Sequence, residues 1–309
     1  MRIQAVESTT FQQNALEHAT PRKRLAYYIE LTKPRILVMI LLTVIMAMVA
    51  VGSSVGLMVV LHTCIGTAMV AASASVMNQW LEKDRDAAMM RTQKRPLPAG
   101  RIASSQAAWM GWLLVCVGSV YLGMFVNLPT MWCGLATWAL YVWVYTPLKT
   151  RSWVNTLVGT IPGALPVWMG WTAAEGSLLD PQAWVLLGVL VAWQLPHFMA
   201  IAYMYREQYE AAGYRMITVT DKSGKGAGWH AILGAVALIA LAPFAVQPSG
   251  ILGGVLAACA IGVAVWQLRV VLRFVFAPER QSARKMLFAS LFHLPITMLL
   301  ILLARLLQL

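Results

Sequence analysis

Charge is scarce in this chain of 309 residues. Asp, Glu, Lys and Arg together make up 12% of the sequence, which is about half the share found in a typical soluble domain. Hydrophobic residues make up 59%, and several apolar runs reach the roughly 20 residues that a helix needs to cross a bilayer. The length would suffice for two soluble domains, but these runs argue against them and favour a polytopic membrane protein.

Several kinds of segment and site are missing as well. Residues 1–27 contain no apolar core, so a secretory signal peptide is not expected there. All four cysteines lie inside apolar runs and none forms a CxxC pair, which argues against disulfides and a zinc site. The sequence shows no P-loop, no dinucleotide-binding motif and no convincing internal repeat. The simplest expectation is a protein of the bacterial inner membrane.

The apolar runs predict an all-α fold of about nine membrane-spanning helices, because a helix satisfies its own backbone hydrogen bonds in lipid. The second and eighth runs are long enough to tilt or to extend beyond the hydrocarbon region. Counted along the chain, the predicted spans cover residues 36–52, 56–80, 106–126, 130–147, 154–173, 182–205, 230–247, 249–274 and 286–307.

Lys and Arg are absent from alternate loops between these spans. Apart from Arg305, every Lys and Arg lies in the N-terminal segment or in or beside the loops that follow spans 2, 4, 6 and 8. By the positive-inside rule, this pattern predicts a cytoplasmic N-terminus and a C-terminus on the outer side. The formal net charge of +12 therefore reflects topology and attraction to anionic lipid headgroups, and no nucleic-acid partner is expected.

The loop after span 2, residues 78–100, gathers acidic and basic residues in the sequence NQWLEKDRDAAMMRTQKRPLPAG. Asn78, Glu82 and Asp86 are spaced i, i+4 and i+8, so they share one face if the helix of span 2 continues into the cytoplasm. Two carboxylates and one amide oxygen suit Mg²⁺, which takes oxygen ligands and commonly bridges carboxylates to the phosphates of a substrate.

Two arginines follow the acidic residues at the same spacing. Arg91 and Arg95 carry guanidinium groups, which match phosphate oxygens in a bidentate manner. An acidic helix face followed by an arginine pair is suited to hold a diphosphate both through a metal ion and directly. The alternative interpretation is a solvated loop beside the membrane, in which acids and bases neutralise one another.

Four segments together resemble the UbiA-type intramembrane prenyltransferases. The loop after span 2 is similar to the family's Asn-x3-Asp-x3-Asp motif, with Glu82 as the middle acid, and continues as M-x-R-T-x-x-R-P. The Glu variant and a Pro-His-Phe element resemble the branch of the family that prenylates heme. The other three segments are LTKPRI (31–36), YTPLKTRSWVNTLVGTIPGALPVWMGW (145–171) and WQLPHFMAIAYMYREQYEAAGYRM (193–216).

This resemblance implies a single transmembrane prenyltransferase domain at residues 35–309, with its helices around a central cavity, after a cytoplasmic N-terminal segment at residues 1–34. The implied reaction transfers a farnesyl group from farnesyl diphosphate to a vinyl group of heme B. Water adds in the same conversion, so the products are heme O and diphosphate. Heme A synthase or terminal-oxidase assembly factors are the implied protein partners.

Two rival functions stay open on the sequence. Another enzyme of the same family would prenylate a quinone precursor or a chlorophyllide instead of heme. A membrane transporter or heme carrier belongs to a different class, and helices broken by Gly and Pro with intramembrane polar residues also mark transport paths. The clustered acids and arginines after span 2 fit a carrier less well.

The resemblance also implies roles for individual residues. His197 would belong to the heme site, either as an iron ligand or as a polar contact. Lys33 and Arg35 would pair with the heme propionates or act as snorkelling anchors at the membrane surface, and Tyr145 would be a polar contact or an interfacial aromatic residue. The implied Mg²⁺ ligands are Asn78, Glu82 and Asp86, and the implied diphosphate contacts are Arg91, Arg95 and Lys149.

One position departs from the family pattern. The family usually has Asp before the residue matching Tyr209, as part of a second acidic site, and this chain has Gln208. Because eleven residues are close to three helical turns, an unbroken helix would place Gln208 on the same face as His197. A second Mg²⁺ site would then depend on the uncharged amide of Gln208, or on Glu207 taking its place through local bending.

Overall fold

The structure is a computed structural model that describes residues 20–52 and 54–307, and every regular element in these ranges is a helix. Residues 1–19 of the predicted segment 1–34 lie outside the described residues. The first half comprises α1 (Pro21–Leu31), α2 (Pro34–Val51), α3 (Leu57–Ala87), α4 (Ser104–Phe125), α5 (Leu128–Ala139), the π-helical segment π1 (Leu140–Tyr145) and α6 (Thr146–Leu148). The second half comprises α7 (Asn155–Ala164), α8 (Pro166–Ala173), α9 (Pro181–Met204), α10 (Arg206–Ala211), α11 (Ile217–Thr220), α12 (Lys225–Val246), α13 (Gly250–Phe276) and α14 (Arg280–Leu306).

Seven of these helices are long and apolar enough to cross a membrane, namely α2, α3, α4, α9, α12, α13 and α14. The first and last residues of each helix lie within seven residues of the bounds of a predicted span, so the apolar runs predicted the positions of these helices. The all-α prediction is confirmed, and the chain is a multi-pass membrane protein.

The two remaining predicted spans, 130–147 and 154–173, are interrupted. The first runs from α5 through π1 into α6, and π-helical turns inside helices are frequent at functional sites. The second is divided into α7 and α8 just before Pro166, whose ring nitrogen lacks a hydrogen for the helical ladder. Because each of these spans is broken into shorter helices, the number of nine crossings stays a prediction.

The long helices pack side by side in one bundle. Helix α3 packs against α4, and α2 packs against α8. Helix α9 contacts both α12 and α14, and α14 also contacts α2. The largest buried cluster joins α2, α7, α8, α9, α12, α13 and α14 and consists mainly of Ala, Val, Leu and Met side chains. A polar cluster forms where the C-terminal part of α3 meets the start of α2 and α6.

Gly170 marks a close crossing between α8 and α2, because a Cβ atom built there would lie 2.1 Å from the carbonyl oxygen of Val44. We expect Gly170→Ala to lower the free energy of unfolding by about 1–3 kcal/mol, since an overpacked contact forces the helices apart. Thermal unfolding in one detergent measures this effect. Gly254→Ala is the matched control, because a Cβ at Gly254 meets nothing within 4 Å; equal stability of the two variants would contradict the close crossing.

Candidate active site

The predicted acidic helix face is present on α3. This helix continues past residue 80 to Ala87, as the spacing of Asn78, Glu82 and Asp86 requires. The three residues are only 2%, 5% and 2% exposed, so all of them face the interior of the protein. Because a buried carboxylate without a partner is costly, both acids need cationic or hydrogen-bonding partners.

Each of these oxygen donors contacts a cation from a different segment of the chain. The three contacts are Lys33 Nζ to Asn78 Oδ1 at 3.1 Å, Lys149 Nζ to Glu82 Oε1 at 2.9 Å and Arg95 Nη1 to Asp86 Oδ2 at 2.7 Å. We name these six residues the charged cluster. Two carboxylates and one amide therefore lie beside three half-buried basic side chains.

Lys33 of the charged cluster has an unusual backbone conformation. Its φ of 52° lies in the left-handed region, which costs energy for a residue with a side chain and is found preferentially at functional sites. Burial, followed by the nearby charges of Arg95 and Lys149, lowers the pKa of Lys33 to about 7. The ammonium group of Lys33 points into the charged cluster, whereas Arg35 lies exposed on the first turn of α2.

Lys149 follows directly after α6, and its carbonyl oxygen accepts a hydrogen bond of 2.8 Å from the backbone N–H of Arg215. Burial by itself lowers the pKa of Lys149, but the carboxylate of Glu82 and the neighbouring tyrosines raise it well above its usual value. Lys149 therefore stays charged beside Glu82. The ammonium group also lies 4.6 Å from the ring centroid of Tyr145, which brings that tyrosine to the cluster.

One contact of the cluster was missed by the sequence reasoning. Thr146 accepts a hydrogen bond of 3.2 Å from Asn78 Nδ2 and donates one of 2.8 Å to the carbonyl oxygen of Tyr141. These two bonds orient the Asn78 amide so that its oxygen faces Lys33. The signal was present in the Tyr-Thr-Pro-Leu-Lys segment, where Thr146 stands three residues before Lys149.

The two arginines of the loop after α3 have different partners. Arg95 forms an ion pair with Asp86. Arg91 instead donates a hydrogen bond of 3.2 Å to the hydroxyl of Tyr209, and its Cζ atom lies 5.0 Å from the ring centroid of Tyr205. Residues 88–102 form turns and bends instead of a helix, so the four-residue spacing does not place the two guanidinium groups side by side. Arg91 lies exposed at the edge of the site.

The helical argument that aligned Gln208 with His197 is wrong. Helix α9 ends at Met204, and Tyr205 separates it from α10, so no unbroken helix connects the two residues. Gln208 instead accepts a hydrogen bond of 3.2 Å from the backbone N–H of Arg91, and Glu207 is exposed. Within residues 20–52 and 54–307, no group of three or more His, Cys, Asp or Glu side chains is placed to hold a metal ion.

Gln208 thus supports the loop that carries Arg91. If this site binds a diphosphate, we expect Gln208→Leu to raise the KM for that substrate by about 2- to 10-fold with little change in kcat, which is the range for one lost hydrogen bond. Gln208→Glu keeps the acceptor oxygen and is expected to stay close to the wild type. Steady-state kinetics of both variants test this, and equal KM values for the Leu and Glu variants would contradict a role of the hydrogen bond.

His197 lies away from the charged cluster, on the face of α9 that meets α14. Its Nδ1 is 2.9 Å from Ser290 Oγ, and its ring stacks on Trp193 with the ring centroids 4.9 Å apart. The ring is partly exposed. His197 therefore makes none of the contacts of the charged cluster.

The donors on α3 are the oxygen ligands that Mg²⁺ prefers. Such ions are usually held by one or two carboxylates, retain several waters and complete their coordination with substrate phosphates. Glu82, Asp86 and the Asn78 amide provide three oxygens on one helix face, and the surrounding cations suit the phosphates. A pocket of about 270 Å³, lined in part by Arg85 and Arg151, gives access to Glu82.

A multi-pass helical bundle with a buried acidic face and surrounding cations defines an intramembrane prenyltransferase architecture. The model of the UbiA prenyltransferase family matches residues 38–294, and the chain belongs to this family. The protoheme IX farnesyltransferase of Rhodopirellula baltica is 44% identical over 281 residues, which cover 88% of this chain and 97% of that protein. The protoheme IX farnesyltransferase of Solibacter usitatus is 37% identical over 295 residues, covering 90% and 98% of the two chains.

Solved structures show the same fold. A structure of digeranylgeranylglyceryl phosphate synthase aligns with a TM-score of 0.74 at 16% identity, covering 92% of this chain and 99% of that one. A UbiA homologue from Archaeoglobus fulgidus bound to GPP and Mg²⁺ aligns with a TM-score of 0.64 at 12% identity, covering 89% and 99% of the two chains. At these identities the likeness establishes the fold alone.

Proposed function

We propose that this protein transfers a farnesyl group from farnesyl diphosphate to a vinyl group of heme B, with addition of water, to give heme O and diphosphate. The observation that carries the proposal is the buried face of Asn78, Glu82 and Asp86 with its three cations. This arrangement suits an allylic diphosphate. The acceptor is inferred from the relatives named protoheme IX farnesyltransferase.

The first step is departure of the diphosphate. The bond between C1 of the farnesyl group and the diphosphate oxygen breaks, and its electron pair stays on the leaving group. Arg95 and Lys149, which pair with Asp86 and Glu82, would stabilise the charge that develops there. Fixed charges of this kind require little reorganisation during the reaction. Mg²⁺ bound by Asn78, Glu82 and Asp86 would supply further neutralisation of the diphosphate.

The second step forms a bond between the allylic carbon and the terminal carbon of the vinyl group. The positive charge moves to the vinyl carbon next to the porphyrin ring, where water adds and releases one proton, which gives the hydroxyethylfarnesyl chain. The allylic cation must be kept from water until the carbon–carbon bond has formed. The apolar helices around the α3 face are suited to hold the farnesyl chain in a dry environment.

The charge distribution supports an orientation with the N-terminus in the cytoplasm and the C-terminus outside, in the inner membrane of a bacterium. Lys33, Arg95 and Lys149 belong to segments that this orientation places on the cytoplasmic side. The charged cluster would then face the compartment that supplies farnesyl diphosphate. We further propose a cytoplasmic segment at residues 1–34, one prenyltransferase domain at residues 35–309, and transfer of heme O to heme A synthase or to terminal-oxidase assembly.

The proposal is tested with the purified full-length protein in lipid nanodiscs, supplied with farnesyl diphosphate, Mg²⁺ and heme B. Heme O should form and is identified by chromatography and mass. Prenylation of 4-hydroxybenzoate or a chlorophyllide without heme O would show a different acceptor. Heme binding without any prenylated product would overturn the enzyme proposal in favour of a carrier.

A further inference from the structure

Ser290 on α14 holds two aromatic side chains of α9. Its hydroxyl oxygen lies 2.9 Å from His197 Nδ1, and its carbonyl oxygen accepts a hydrogen bond of 2.6 Å from the indole N–H of Trp193. Trp193 and His197 are one helical turn apart and stack on each other. Because Ser290 is completely buried, these contacts fix the position of the imidazole ring.

The hydrogen bonds of Ser290 also determine which imidazole nitrogen carries the proton. A serine hydroxyl has a single hydrogen, and the Ser290 hydroxyl donates it to the carbonyl oxygen of Leu287 at 2.6 Å. Toward His197 the same oxygen then acts as an acceptor, and this network assigns the proton to Nδ1. In a neutral imidazole this leaves Nε2 with a free lone pair.

We infer that Ser290 is a positioning residue that holds His197 in the Nδ1–H tautomer, and that His197 Nε2 is a ligand for the iron of the heme substrate. This inference rests on the proposed function, which supplies heme as the acceptor. Histidine ligands of metals usually donate their second ring N–H to a fixed acceptor, which sets both the tautomer and the ring orientation. The contact of His197 with Ser290 has this form, and the ring is partly exposed for a ligand.

Ligation of the heme iron by His197 on α9 would complement binding of the diphosphate at the charged cluster. It would fix the heme through its iron and leave the vinyl groups at the ring edge for the reaction. Ligation would also separate recognition of the acceptor from recognition of the leaving group, since His197 makes none of the contacts of the charged cluster. Variants at the histidine site should therefore affect heme binding and leave the binding of farnesyl diphosphate unchanged.

The test measures binding of ferric heme B and of iron-free protoporphyrin IX to the full-length protein in nanodiscs. We expect His197→Gln to lose the shift of the Soret band and about 10- to 100-fold in heme affinity, and Ser290→Ala to lose about 10-fold. Ser290→Thr keeps the hydroxyl and should retain the wild-type spectrum. Iron-free porphyrin should bind all of these variants equally, because it has no iron to ligate.

Thr297→Val is the matched control, because it removes a buried hydroxyl on the same helix α14 that makes no hydrogen bond within the described residues. Its heme spectrum is expected to match the wild type. An unchanged spectrum and affinity in Ser290→Ala would overturn the positioning role. An equal loss of heme and iron-free porphyrin in His197→Gln would overturn iron ligation and leave a packing contact.

The two proposals fail in different ways. If the wild type forms no heme O but shows the expected pattern of heme spectra, the proposed reaction is wrong and the histidine site stands. If the wild type forms heme O while His197→Gln keeps the wild-type heme spectrum and affinity, the ligand site is wrong and the reaction stands.

Discussion

Asp86→Asn should lower the rate of heme O formation by about 10³-fold, because it removes one of only two carboxylates on the acidic face of α3. The substitution keeps the shape of the side chain and removes its charge. It also breaks the ion pair of 2.7 Å with Arg95. Turnover is measured by chromatography of heme O at saturating farnesyl diphosphate and Mg²⁺, and heme binding by absorption should stay close to the wild type.

Asp84→Asn is the matched control for this experiment. Asp84 lies on the same helix two residues earlier, but its side chain is exposed and points away from the buried face. We expect wild-type turnover for this variant. Equal activity of the Asp84 and Asp86 variants would falsify the assignment of the acidic face to the reaction.

The second large effect is expected for Arg95→Gln, with a loss of about 10²-fold in kcat/KM for farnesyl diphosphate. This variant removes a cation at the leaving group and leaves the buried carboxylate of Asp86 without its partner. Arg95→Lys keeps the charge but not the planar guanidinium, so it should recover only part of the activity. Kinetics at several Mg²⁺ concentrations separate loss of phosphate binding from loss of metal binding.

Lys94→Gln provides the comparison for Arg95. Lys94 is the neighbouring residue in the same loop, and its side chain is exposed. It should retain full activity, because screened surface charges contribute little. A comparable loss in the Lys94 and Arg95 variants would mean that the general positive charge of the loop matters, and not the contact with Asp86.

The acidic face was predictable because it depends on one local rule. A regular helix brings residues at i, i+4 and i+8 to the same side, and α3 keeps this regularity from Leu57 to Ala87. The long apolar runs were predictable for a similar reason, since lipid requires each spanning segment to satisfy its own hydrogen bonds. The π-helical segment π1 was not predicted, because its sequence is as apolar as the helix before it.

Helical spacing and apolar runs could not predict the contacts of Lys33, Gln208 and His197. Lys33 depends on a left-handed residue at the start of α2, and Gln208 depends on the break after Met204. The partner of His197 is Ser290, 93 residues away in the chain. Side-chain spacing is informative only within one regular element, so it says nothing about which segment of another helix lies opposite.

The sequence by itself determined the membrane class, the all-α fold, the sidedness of charge and the acidic face of α3. These properties follow from composition and from the helical period, which act over a few residues. Only the tertiary structure decided that Lys33, Arg95 and Lys149 each contact a different oxygen donor of α3, and that Ser290 contacts His197. The physical reason is that these contacts join segments distant in sequence, and packing of the whole bundle selects them.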